Sequence, residues 1–478
     1  MGGSAFHFLR TPRMPPALYI QVRDSTYALL LQHFKYVATP IEAPGKLSFG
    51  DIDVTVAEPC DSPQRESVVG AETGEELSQW LKGVLHANHV LHDKGSSIWN
   101  LAIPWPVDFE LPTPSEAEGE REGAREEEDD AEVTRDEKER QIEDDRKEEE
   151  DPSREKHIQI DVHICPSPAL FHWSLFHSAH GDLWNILRSI ISKQHLKATD
   201  QGFYLVDAAI EPLNRNRART LLTTDPSLVL RFLDLDESRF WRAFASPHDL
   251  FEYIASCRLF SLLEVPAEEE VEETAEKREG EIQPKKKPKA LNPYKRHLFT
   301  LWLEDFLPYI QHPDRASAYQ RPLPSPSNVL GQVFAAFPAA EAPYRDNHNG
   351  FFLERHCDAL FRTTIKSSVP ADAEPQLRAA AIKTLRRLIL DNDGEVLAAS
   401  DVGENMGDSF TRPVPRRAQD GYFDERAVGD FVAAEWQVAG RIGMQRQKEK
   451  AIESMRRKEE ERRRKREELT RGQDQHQT

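Results

Sequence analysis

Two runs of alternating apolar residues carry acidic side chains where a strand has no structural use for them, and this narrows what the chain can fold into. The first is Gly50-Asp51-Ile52-Asp53-Val54-Thr55-Val56, and the second is His157-Ile158-Gln159-Ile160-Asp161-Val162-His163-Ile164-Cys165. Successive side chains on a strand point to opposite faces, so Asp51 and Asp53 share a side, roughly 6.5 Å apart at the backbone, while Ile52, Val54 and Val56 enter a core. Like-charged carboxylates on one face cost stability unless a cation or a basic group lies between them. If the second run lies beside the first, Asp161 joins the pair. Three convergent oxygen ligands then make a seat for one or two Mg²⁺ (or Mn²⁺) ions, a donor set that points to phosphoryl transfer.

The chain has 478 residues, 30% of them charged, so it has room for two or three ordinary domains but places much of its length outside any core. Its formal net charge is -20, yet the stretch 116–151 alone holds 20 acidic and 7 basic residues. Repulsion from nucleic acid therefore does not follow from the total, because one solvated segment carries most of the excess. Cys60, Cys165, Cys257 and Cys357 show neither metal-ligand spacing nor a disulfide framework, which suits a reducing compartment. No apolar run approaches the ~20 residues that span a bilayer, and the N-terminus lacks the layout of a secretory signal. The expectation is a soluble intracellular protein, nuclear or cytoplasmic, with no membrane partner; oligomeric state is not legible.

Along the chain, residues 17–34 suggest a strand leading into a short helix, and 37–45, with Pro40 and Pro44, an extended or looped segment. Residues 73–91 fit an amphipathic helix interrupted by Asn88, and Ile98 to Trp105 a strand stopped by Pro104. That strand and the Asp161 strand read as a hairpin whose connection holds an acidic insertion at about 112–155. The insertion is either disordered or a single charged helix over 126–150. Asp182 is placed to cap a helix from Leu183, a short strand falls at 203–206, and Asp225-Pro226 opens a helix that begins a helical stretch to about Phe260. Helical patterns return at 294–310, 376–390 and 423–445. The expected fold class is α+β: a mixed sheet with flanking helices over 16–206, then a mostly helical region over 207–445 with a disordered linker at about 265–290 and a loop at about 402–419. A charged tail, 446–478, follows as a solvated helix or disordered segment.

The residues Gly50-Asp51-Ile52-Asp53, Ile160-Asp161-Val162, His180-Gly181-Asp182-Leu183-Trp184-Asn185-Ile186-Leu187 and Leu222-Thr223-Thr224-Asp225-Pro226 resemble the polymerase-beta-like nucleotidyltransferase superfamily. More narrowly they resemble a group of such proteins predicted from fungal genomes, over most of residues 16–260. The resemblance implies a nucleotidyltransferase-like sheet in which Asp51 and Asp53 hold both metals and the triphosphate, while Asp161 holds the metal that activates the attacking hydroxyl. It implies a nucleoside triphosphate as donor and an RNA end, a protein or a small molecule as acceptor. The superfamily's Gly-Ser turn, about a dozen residues before the first Asp, is here Ala38-Thr39 followed by prolines. Gly50, Thr39 and Lys46 are the residues left to meet the phosphates. The rival expectation is a catalytically inactive descendant that keeps the fold as an interaction module.

Asn214-Arg215-Asn216-Arg217-Ala218-Arg219 offers further phosphate ligands in Arg215 and Arg217, since the guanidinium fork matches phosphate oxygens, although a solvated loop accounts for the same composition. His177 and His180 lack two more ligands at zinc spacing, which favours packing. Trp173, Trp184 and Trp302 read as core. The clusters 284–289 and 462–466 have the composition of nuclear-import signals and of nonspecific phosphate contacts.

Overall fold

A computed structural model describes residues 5–60, 74–107, 109, 155–264, 297–392 and 410–474. The expected acidic insertion, save residue 155, the 265–290 linker and residues 402–409 of the expected loop lie outside them. The chain is a mixed α/β protein divided into two compact units, Met1–Glu341 and Ala342–Thr478.

The first unit opens with helix α1 (Pro16–Leu30), which replaces the expected strand and short helix. Pro16 sits in its first turn, where a missing N–H costs nothing. Leu18, Val22, Thr26 and Leu30, spaced by four, form the buried stripe, whereas Ile20, Tyr27 and Leu31 remain exposed. Those exposed apolar residues broke the helical period in the sequence. Strand β1 (Phe34–Ala38) then leads through the proline segment into β2 (Asp51–Pro59).

Helix α2 (Gly74–Val84) ends earlier than its apolar pattern suggests, because His86 turns the backbone left-handed (φ 53°) and the chain enters β3 (His89–Leu91). Strands β4 (Ile98–Pro104) and β5 (His157–Cys165) pair antiparallel from Ile98–His163 to Pro104–His157, so the two flank the insertion as a hairpin. The five-stranded sheet has the order β1-β2-β5-β4-β3, with β2 and β5 parallel and the other pairs antiparallel. One face buries Ile52, Val54, Val56, Ile158, Ile160, Val162 and Leu101 against Leu18 and Val22 of α1 and Leu81 of α2.

Beyond the sheet, α3 (Pro168–Ser178) and α4 (Leu183–Ile191) precede a second, three-stranded antiparallel sheet of β6 (Leu196–Thr199), β7 (Gly202–Val206) and β8 (Arg219–Thr223). This sheet takes strands from both sides of residue 206. Trp173 Nε1 of α3 donates to the Thr199 carbonyl at 2.8 Å, tying the β6–β7 turn to the helix. Asp182 does not cap α4: its carboxylate accepts from Asn185 Nδ2 at 2.9 Å and takes no backbone amide. The left-handed His180 and Gly181 (φ 61° and 63°) bring Asp182 into φ -78°, ψ 5°, away from the extended backbone that a capping side chain needs. Asp225 does cap α5 (Pro226–Leu233), accepting from Ser227 N at 2.9 Å. Helix α6 (Pro247–Ala255) and the continuous helical run over 297–311 follow, with Trp302 and Phe306 buried against Phe251. Helix α7 (Pro326–Ala336) was not anticipated from the sequence.

The second unit is helical. Helix α8 (Glu341–Ala359) leads toward α9 (Pro375–Ile389), whose Ala381, Leu385 and Leu388 are buried as the spacing predicts. The last helix, α10 (Glu425–Asp474), runs for 50 residues, so the helical alternative holds for the described part of the tail. Glu435 is 1% exposed and accepts from the amides of Thr411 and Arg412 at 3.0 and 3.1 Å, anchoring residues 410–412 to this helix. Gly440 and Gly443 let α10 approach α9: a methyl at Gly443 would meet the Ala380 carbonyl at 2.9 Å. Among the described residues no helix is long and apolar enough to cross a membrane.

Ile160 lies at the centre of the first sheet, 1% exposed. Ile160→Ala should destabilise the first unit by about 3 kcal/mol in urea unfolding, whereas Ile20→Ala on the wet side of α1 should change it by less than about 0.5 kcal/mol. Gly443→Ala should lower the thermal midpoint of the second unit, because the added carbon forces two packed helices apart.

Candidate active site

Parallel pairing of β2 with β5 sets Asp53 directly opposite Asp161, and Asp51 opposite Gln159. Neighbouring strands are about 4.8 Å apart, so the three aspartates occupy adjacent positions on one face, the side away from the isoleucine core. That face is divided along its length. Toward the C-terminal ends of the strands, Ala57 and Cys165 are covered by Phe171 of α3, with Tyr36 and Leu170 packed around them. The aspartates occupy the opposite half. Between the halves stands His163, hydrogen-bonded through Nε2 to Ser97 Oγ and through Nδ1 to Ser174 Oγ, both at 2.8 Å. Burial holds its imidazole below the usual value, with Asp200 opposing, which favours the neutral form.

Electrostatics mark the aspartates as a unit. Asp53 is pushed from 3.8 up to about 7, first by desolvation and then by the charges of Asp51, Asp161 and Glu42, with Lys46 opposing. Asp161 rises likewise to about 7 through desolvation and Asp51, against a hydrogen bond from Gln159. Asp53 nevertheless keeps an exposed surface, while Asp51 and Asp161 are half-buried. The Asp53 carboxyl is thus hemmed in by protein and still open to solvent on one side.

Gln159 Nε2 donates to Asp161 Oδ1 at 2.9 Å, while its Oε1 accepts from the Ala5 amide at 3.1 Å. This chain of bonds fixes one oxygen of Asp161. On the far side, Asn100 of β4 pairs with Asp161, so Asp53, Asp161 and Asn100 form a polar row across three strands. Lys46 Nζ lies 2.7 Å from Glu42 Oε2 and 4.8 Å from the centroid of the Phe49 ring, and Glu42 also accepts from the Tyr19 hydroxyl. The cation nearest the aspartates in charge effect is thus already held by a carboxylate.

The structure therefore brings Asp51, Asp53 and Asp161 to one face and puts Lys46 within electrostatic reach of Asp53. Thr39 is half-buried directly after β1, and Gly50 is buried directly before β2, in the backbone that enters the site. Arg215 and Arg217 lie in the turn between β7 and β8 of the second sheet, where the charge of Arg215 acts on Lys197. Glu42, Asn100 and Gln159 went unnoticed in the sequence. Alternation along β5 carried a signal for Gln159, two residues before Asp161; the other two arrive through tertiary contacts.

Among the described residues no three His, Cys, Asp or Glu side chains form a ready-made metal-binding group. The aspartates share a face and feel one another's charge, but side-chain rotation still separates them from a closed ligand set. As a donor set they suit a hard divalent cation, since each is a carboxylate and their mutual repulsion is what such an ion relieves. A concavity of about 520 Å³ lies in the second unit among Phe361, Pro375, Arg378, Ile382, Lys383 and Arg386. It has no carboxylate in its lining, so chemistry rather than size selects the aspartate face. A scan against protein-family models finds none that matches the chain, and a search of curated proteins finds no match either.

Both raised carboxyls bind protons more tightly in the folded chain than in the unfolded one. Their contribution to stability is complete below pH 4 and is withdrawn as pH rises from about 4 to about 7. In EDTA the thermal midpoint should therefore fall across that window, and Asp53→Asn should flatten the fall and melt higher than wild type at pH above about 7. Identical profiles for the two proteins would refute the electrostatic coupling.

Proposed function

We propose that the chain is a nucleotidyltransferase that moves a nucleoside monophosphate from a nucleoside triphosphate to a hydroxyl acceptor. The observation that carries this reading is the register that sets Asp53 opposite Asp161 with Asp51 two residues away on the same face. Asp51, Asp53 and Asp161 are the residues that would hold Mg²⁺ or Mn²⁺. When bound, the ion supplies positive charge to the reacting phosphate oxygens and aligns the attacking and leaving groups.

The remaining work falls to the chain itself. Gln159 orients Asp161 by donating to its Oδ1, which leaves the other oxygen for the ion. Lys46 is placed to meet a triphosphate oxygen if it exchanges Glu42 for that stronger acceptor. Thr39, which follows β1 where the superfamily that the chain resembles carries a Gly-Ser turn, would contribute a hydroxyl to the phosphates.

The rival reading, an inactive interaction module, draws on Ala38-Thr39 in place of that turn and on the occupied Lys46. Labelling of cellular RNA and protein from each α-³²P nucleoside triphosphate with Mg²⁺ or Mn²⁺ decides between them. Wild type should transfer label, and Asp51→Ala with Asp53→Ala should lose it by roughly 100-fold or more. Equal labelling by both proteins would remove the aspartates from the chemistry. No labelling by wild type, together with no nucleotide-dependent rise in melting temperature, would favour the inactive module.

A further inference from the structure

The second sheet gathers cations that the aspartate face does not use. Leu196, Leu205 and Thr220 pair in one row across β6, β7 and β8 and are buried. The adjacent row, Lys197–Tyr204–Leu221, therefore turns to the opposite face, where Leu221 is 47% exposed and Lys197 and Tyr204 are half-buried. Arg219 stands two residues before Leu221 on β8 and so shares that face.

The turn that carries Arg215 into this neighbourhood is built rather than slack. Asn214 Oδ1 accepts from the amides of Asn216 and Arg217, both at 3.1 Å, and the Asn214 carbonyl accepts from Ala218 N at 3.0 Å. Asp207 N donates to the Ala218 carbonyl at 2.7 Å, closing the base of the turn. Arg215 is exposed on this rigid support, and Arg188 is exposed in the last turn of α4. Burial lowers the Lys197 amine, followed by the charges of Arg219, Arg188 and Arg215, with Glu211 opposing. A chain of net charge -20 thus sets Lys197 and Arg219 on one sheet face, with Arg188 and Arg215 within electrostatic reach of Lys197, against their mutual repulsion.

We propose that this face binds a single-stranded nucleic acid, with Lys197, Arg188, Arg215 and Arg219 on its phosphates and Tyr204 stacked on a base. From Lys197 on β6 to Arg219 on β8 the cations span two strand spacings, roughly 10 Å, which a lone phosphate cannot bridge and a phosphodiester backbone can. An aromatic ring between cations suits an unpaired base, whose flat face is available only in a single strand. Arginine predominates, as fork-shaped recognition of phosphate favours. The assignment stands apart from the aspartates and does not depend on transfer activity.

Fluorescence anisotropy of the full-length chain with labelled single-stranded RNA and single-stranded DNA of mixed sequence tests it, the two strands separating the sources of the backbone. Lys197→Ala with Arg219→Ala should weaken binding about tenfold or more and lower the slope of log affinity against log salt by about 1.4, for two lost phosphate contacts. Lys197→Arg with Arg219→Lys should keep the slope, which guards against a mere folding defect. Tyr204→Ala should weaken binding without changing the slope, and Tyr204→Phe should restore it. Affinity and slope unchanged in the double alanine variant for both strands would overturn the proposal. So would binding indifferent to Tyr204→Ala, or equal binding of base-free inorganic polyphosphate.

Discussion

Parallel pairing between β2 and β5 is the interaction on which the rest of the first unit depends. Seven residue pairs, from Asp51–Gln159 to Ala57–Cys165, put two apolar strands side by side although 97 residues separate the end of one from the start of the other. A slip of one residue would send Ile160 to the wet face and Asp161 into the core, an exchange that a buried sheet opposes strongly. The hydrophobic pattern therefore enforces the register. The aspartate cluster follows from it.

The same sheet is divided between two tasks. Phe171 of α3 covers Ala57 and Cys165, and this apolar contact holds the C-terminal half of the strands rigid. The half that carries Asp51, Asp53 and Asp161 instead concentrates charge, with Asp53 and Asp161 raised to about 7. The Ser97–His163–Ser174 chain lies between them and satisfies a half-buried imidazole where the surface changes from apolar to acidic. On the second sheet the charge has the opposite sign, gathered about Lys197. Two clusters that oppose their own assembly, one acidic and one basic, mark places where the chain departs from what stability alone would select.

Expectation and structure part company at particular residues. The alternation around Asp51 and Asp161 was legible because period two survives in any strand that buries one face. Helix α1 was missed because Ile20, Tyr27 and Leu31 are apolar yet exposed, which blurred the stripe of Leu18, Val22 and Leu30. Residues 73–91 gave one helical pattern for a helix and a strand, since Leu85 and Leu91 continue the spacing across the left-handed His86. Asp182 looked like a cap by position, but capping depends on backbone angles that the preceding His180-Gly181 turn sets.

By itself the amino-acid sequence determined that two strands carry acidic side chains on one side, that a charged stretch interrupts a hairpin, and that the C-terminal part is helical. Each of these is a local property, written in residue spacing or composition. Only the tertiary structure decided that Asp53 faces Asp161, that Glu42 holds Lys46, and that Lys197, Tyr204 and Arg219 share a face of another sheet. Those relations join residues distant in the chain, and their geometry comes from strand register and helix packing, which no local pattern encodes.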